Sequence, residues 1–168
     1  KRLRFYGIET IENNAYKNKY YSFENGLNSR LDEIQASILN FKLKKTDSFI
    51  RNRRKLVSIY TKELSSTELV LPKENNKNTH VFHLFTVLHP KRERIIQHLL
   101  KRGIQTRIIY PYPIHNMKAY QKIILNKSRL KKSVEKSKKI FCLPLYPELS
   151  VNKVRYICKN LKEILKKI

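Results

Sequence analysis

The chain has 168 residues, 40% of them hydrophobic, enough for one domain with a real core or for a small domain plus part of another. Against 13 acidic residues stand 37 lysines and arginines, a formal net charge of +24. These cations are spread along nearly every segment, with no zinc-finger, RNP-type or helix-turn-helix pattern, so nucleic acid is not the expected partner; charge drift on solvated faces accounts for the excess. No signal-peptide pattern and no apolar stretch of membrane length is read in these residues. The two cysteines, Cys142 and Cys158, are too far apart for a zinc motif, so the expected compartment is a reducing cytoplasm and no membrane partner is expected.

Residues 1 to about 27 mix Tyr16, Tyr20, Tyr21 and Phe23 with asparagine and lysine, show no period, and read as a loop-rich segment. Gly26 then opens a polar turn, Asn28-Ser29-Arg30, that runs into a helix expected from about Ser29 to Lys45. Donors beside a helix start make a ready anion site. Leu31, Ile34, Ile38 and Phe41 recur at helical spacing and should bury the opposite side. From these residues alone a plainer reading stays open, a core helix whose Arg30 pairs with Asp32 or Glu33.

A second helix is expected from about Thr46 to Leu64, with Ile50, Val57, Tyr60 and Leu64 on one side and Thr46 or Asp47 as its cap; with the first it would form a long bent connector. Ser65 to Thr79 is a polar link. His80 to Leu88 is apolar on both alternating faces and predicts a buried strand. His80 and His83 have H-x-x-H spacing, but His83 shares the face of Val81, Phe85 and Val87 and no carboxylate or thiolate accompanies the pair. Both read as packing residues, and no metal is expected. Residues 91–102 place Ile95, Ile96, Leu99 and Leu100 on one helical face. Gly103 suits a left-handed stop before a strand from Ile104 to Ile109, which completes a strand-helix-strand unit. The last helix is capped by Ser150 and carries Val154, Ile157, Cys158, Leu161, Ile164, Leu165 and Ile168 at helical spacing.

Three blocks stand out in order: Gly26-Leu-Asn-Ser-Arg-Leu-Asp-Glu-Ile-Gln-Ala-Ser-Ile-Leu39, Gly103-Ile-Gln-Thr-Arg-Ile-Ile-Tyr-Pro-Tyr-Pro-Ile-His115, and Cys142-Leu-Pro-Leu-Tyr-Pro-Glu-Leu-Ser150. Together with Leu3-Arg-Phe-Tyr-Gly7, Arg53-Arg54 and Val81-Phe-His-Leu-Phe85, this series resembles the C-terminal half of the DegT/StrS family, sugar aminotransferases that use pyridoxal phosphate. The resemblance implies an α/β fold, the small C-terminal domain of a fold-type I pyridoxal-phosphate-dependent transferase (46–168), preceded by the end of the large domain with a connector helix (1–45). It also implies a homodimer with a shared active site, in which Asn28 reaches the cofactor phosphate of the neighbouring subunit and Arg30 neutralises cofactor or substrate phosphate.

His115 matches the second histidine of the family's His-Tyr-Pro-x-Pro-x-His loop near the sugar pocket. Ile109 replaces the first, and Tyr110 could face the same pocket. The family's Schiff-base lysine lies upstream of the matching segment. The lysines here sit in polar runs, without the desolvation or cationic neighbour that such a lysine needs, so no catalytic residue is expected in this chain. The chain, which opens on Lys1, reads as a fragment of a longer protein or the product of a truncated gene. The implied reaction moves an amino group from glutamate to a keto carbon of a dTDP- or UDP-linked sugar, and the Asn-Ser-Arg-Leu-Asp-Glu form is similar to members that act at C3. An inactive remnant and a basic nucleic-acid module are the alternatives.

Overall fold

The computed structural model describes residues 22, 24–29, 31–75, 77–120 and 130–168. The chain divides into two compact units, Lys1–Thr46 and Asp47–Ile168. Most of the expected loop at 1–27 lies outside the described residues.

In the first unit, helix α1 spans Glu33–Leu43. It begins four residues later than the sequence suggests, because Asp32 is still extended (φ −69°, ψ 146°) and acts as the N-cap position without a side-chain cap bond. No residue of α1 is buried. The expected burial of Leu31, Ile34, Ile38 and Phe41 is therefore not met within this chain, where they are 53%, 76%, 51% and 61% exposed. At its C-terminal end the Lys45 ammonium lies 4.5 Å from the centroid of the Phe41 ring. The Thr46 hydroxyl donates to the Lys42 carbonyl at 3.2 Å, which closes α1 instead of capping the helix that follows.

The second unit holds α2 (Thr46–Leu64), β1 (Phe85–Leu88), α3 (Arg92–Leu100), α4 (Lys131–Lys139), β2 (Ile140–Leu143) and α5 (Val151–Leu165). β1 and β2 pair antiparallel, Phe85 opposite Leu143 and Leu88 opposite Ile140. Isolated antiparallel bridges join Val70 to Leu88 and Arg107 to Cys142, so the ladder reads 70, β1, β2, 107. This corrects two expectations. The strand proposed for 80–88 is only its last four residues, and that for 104–109 shrinks to the single bridge at Arg107, whose N–H and carbonyl both bond Cys142 (3.3 and 2.7 Å). Pro111 and Pro113 follow too soon for the chain to extend the ladder. The two inner places belong to β1 and β2, and α4 and β2 carry no strong pattern of their own: α4 buries only Ser137.

The core lies where α2, α3 and α5 meet the sheet. Tyr60 stacks on Phe85 with centroids 4.8 Å apart, and its hydroxyl donates to the Pro144 carbonyl at 2.9 Å. α5 buries Val154, Ile157, Cys158, Asn160, Leu161 and Ile164, and the Ser150 side chain accepts from Lys153 N–H as foreseen. Each fully buried aliphatic side chain of this kind contributes about 1.5–3 kcal/mol. α3 ends as predicted. Gly103 has φ +73°, its N–H bonds the Leu100 carbonyl (2.9 Å), and Ile104 N–H reaches back to Leu99 (2.9 Å), a Schellman closure that only a residue tolerant of the left-handed region completes without strain.

Candidate functional site

The polar turn before α1 presents Asn28 to solvent. Its amide has no hydrogen-bond partner among the described residues and can donate to an anion. Arg30 lies outside the described residues.

The 110–120 loop belongs to the second unit. Two single-turn 3₁₀ segments, Ile114–Asn116 and Lys118–Tyr120, are tied by bonds from Asn116 N–H to the Pro113 carbonyl (2.9 Å) and from Tyr120 N–H to that of Met117 (3.0 Å). The prolines fix φ and hold the intervening residues in a narrow range of conformations. Tyr110 is 75% exposed, and Tyr112 and Ile114 are exposed beside it, so Tyr110 is not a packing residue. His115 turns the other way: it is buried, 7% exposed, without an ion pair or hydrogen bond among the described residues. The loop thus brings Tyr110 and His115 into one structure but aims them differently. Asn28 belongs to the first unit.

Two arginines of α2 fasten the segment leading into β1. Arg54 forms a bidentate pair with Glu74 (2.6 and 3.2 Å) and donates to the His80 carbonyl (2.7 Å), while Arg53 donates to the carbonyls of Phe82 and His83 (3.3 and 2.9 Å). Glu74 also accepts from His80 N–H at 2.7 Å. The Arg54 guanidinium, helped by that backbone donor, holds the Glu74 carboxyl below the usual carboxylate range. Phe82, at φ +47°, is buried at the apex and stacks on His80 (4.3 Å). His80 and His83 themselves are exposed, so the reading of His83 as a packing residue is wrong: the turn at Phe82 resets the alternation before β1 begins. His89, in contrast, is buried: its Nδ1 accepts from Lys91 N–H (3.0 Å) at the start of α3 and its Nε2 lies 3.5 Å from Glu68.

Burial, with Glu63 nearby, pushes the Cys158 thiol up to about 12, and burial likewise raises the Tyr60 hydroxyl. Both are neutral packing groups at physiological pH. No described lysine is buried, and the half-covered Lys139 and Lys162 are held by Glu135 and Glu63 at 2.6 Å. Among the described residues no three His, Cys, Asp or Glu side chains converge as a metal site would require.

Residues 1–162 match the DegT/DnrJ/EryC1/StrS aminotransferase family. The chain belongs to that family. Its aminotransferases are pyridoxal-phosphate-dependent, and the chain has the α/β fold of the C-terminal part of these fold-type I enzymes. It is 35% identical over 150 residues to the "Pleiotropic regulatory protein" of Geobacillus stearothermophilus, covering 88% of this chain and 40% of that one. It is 32% identical over 170 residues to the dTDP-3-amino-3,4,6-trideoxy-alpha-D-glucose transaminase of Micromonospora megalomicea subsp. nigra, covering 98% and 44%. Among solved structures, S. venezuelae DesV superposes with a TM-score of 0.85 at 30% identity, covering 99% of this chain and 43% of DesV. The chain therefore spans about two fifths of the length of the relatives it matches. Among the described residues no helix is long and apolar enough to cross a membrane.

Proposed function

We propose that this chain is the C-terminal portion of a nucleotide-sugar aminotransferase that moves an amino group, from glutamate, to C3 of a dTDP- or UDP-linked keto-deoxy sugar in the cytoplasm. What carries the reading is the family match over residues 1–162 together with the superposition on DesV along 99% of the chain. In this reading residues 1–45 end the large domain and 46–168 form the small one. The enzyme is a homodimer, and the solvent-facing apolar side of α1 supports a subunit contact there, since an apolar stripe of this kind is stable in water only when covered.

The bound cofactor supplies the electron sink that lets an amine change carbon partners. This chain's residues bind and orient. Asn28 donates its amide N–H to the cofactor phosphate across the dimer, and Arg30 adds a planar multi-donor cation for cofactor or substrate phosphate. Tyr110, exposed on its proline-stiffened loop, meets the substrate directly. His115, buried though it belongs to the same loop, acts on the sugar only if the loop turns it outward; in its buried place it positions the loop. Ile109, in place of the family histidine, withdraws one hydrogen-bonding group from the pocket.

The test joins this chain to the upstream domain of a relative and offers the product a dTDP-linked 3-keto sugar and its 4-keto isomer with glutamate. Amination of the 3-keto sugar is expected. Turnover of the 4-keto isomer alone, or of neither with cofactor bound, would contradict the reading.

A further inference from the structure

We infer that residues 80–83 form a strap that opens and closes as one piece while the rest of the second unit stays folded, with the Arg54–Glu74 ion pair as its clasp and the Phe82 ring as its plug. The strap lies directly before β1 and outside the ladder, which begins at Phe85. Among the described residues from Lys73 to His83, Phe82 alone is buried, so a single ring holds this stretch to the core.

The other restraints are polar and lie near the surface. Arg54 grips the Glu74 carboxylate with two bonds and donates to the His80 carbonyl, while Glu74 accepts from His80 N–H. Arg53 donates to the carbonyls of Phe82 and His83. Within the strap, Phe82 N–H donates to His80 Nδ1 at 2.7 Å beneath the stacked rings. The backbone opposes closure. Phe82 stands at φ +47°, in the left-handed region that a bulky aromatic residue rarely occupies. Such a conformation persists only where its surroundings over-determine it, and Phe82 is held at its N–H, its carbonyl and its ring. Segments with few buried apolar contacts and exposed hydrogen bonds open at free energies well below that of global unfolding. The strap has both marks; β1, with Phe85 and Val87 fully buried, has neither. Opening is therefore confined to the residues before Phe85. It frees both guanidinium groups of α2 and empties the pocket that the Phe82 ring fills.

Hydrogen exchange of the 168-residue chain, followed by NMR, tests this with the amides of Phe82 and of Ile157, buried in α5, as reporters. Phe82 is expected to exchange far faster than Ile157, at a rate that low concentrations of urea barely change, because a local opening exposes little surface. Leu161→Ala, which weakens the core, should speed Ile157 and leave Phe82 as it was, since the core is intact in both strap positions. Glu74→Ala should speed Phe82 by roughly tenfold, the worth of one charge-assisted hydrogen bond, although the Phe82 amide does not touch Glu74. If that variant does not fold, Arg54→Lys, which keeps the charge and loses the fork, should act in the same direction. Equal urea dependence of the two amides, equal acceleration of both by Leu161→Ala, or a Phe82 rate indifferent to loss of the clasp would each overturn the proposal.

Discussion

Helix α5 buries six of its 15 residues, whereas α1 buries none of its 11, although both carry apolar side chains at helical spacing. The difference is one of partner. α5 has α3 and the sheet beside it and starts from a side-chain cap at Ser150; α1 has a bare Asp32 at its N-cap position and an apolar stripe facing solvent. Periodicity identifies which side of a helix avoids water. It does not say whether the covering surface is in the same chain.

The comparison breaks most readily in α5. Leu161 is 0% exposed, so Leu161→Ala leaves a cavity and should cost about 2–5 kcal/mol, read by denaturant unfolding. A loss below about 1 kcal/mol would mean that the core described here is not formed in solution. Next in size is Gly103→Ala. A Cβ there meets nothing within 4 Å, so the cost is the left-handed backbone alone, about 1–2 kcal/mol, and Gly103→Asn should recover part of it. Asparagine behaving no better than alanine would point to a contact instead of a dihedral.

The thiol of Cys158 sharpens the contrast through pH. Its folded value near 12 lies above the unfolded value of about 8.5, so the folded state keeps a proton that the unfolded chain releases. Stability should therefore fall as pH rises from about 8.5 towards 12, and Cys158→Ala should flatten that fall without abolishing it, because buried Tyr60 contributes in the same sense. Thermal melts of both proteins between pH 7 and 11 decide this; identical slopes would place the thiol in water. The smallest effect belongs to α1: Ile38→Ala in this chain should change stability by less than about 0.5 kcal/mol, since Ile38 is 51% exposed.

These contrasts also explain what was legible. Gly103 and Ser150 announce a stop and a start through backbone chemistry that needs no distant partner, and both were read correctly. The α2 face of Val57, Tyr60 and Leu64 was equally clear. α4 was not, because its KKSVEKSKK run has one half-buried apolar residue and is held by neighbours: Arg92 donates to the carbonyls of Ser137 and Ile140. β2 is four residues stopped by Pro144, too short to declare itself as an inner strand of the ladder. Of the site residues, the sequence located the loop of Tyr110 and His115 but not their directions, which depend on packing.

The central claim, that the Gly26–Leu39 stretch serves cofactor binding instead of only starting a helix, is tested most directly by the pyridoxal phosphate affinity of Asn28→Ala in an enzyme with the upstream domain restored. Loss of a hydrogen bond to a charged group predicts a fall of roughly ten- to a hundredfold, with activity partly rescued by excess cofactor and the melting temperature of the cofactor-free protein unchanged. An unchanged affinity, with a lowered melting temperature in its place, would contradict the claim and leave Asn28 a structural residue of the turn.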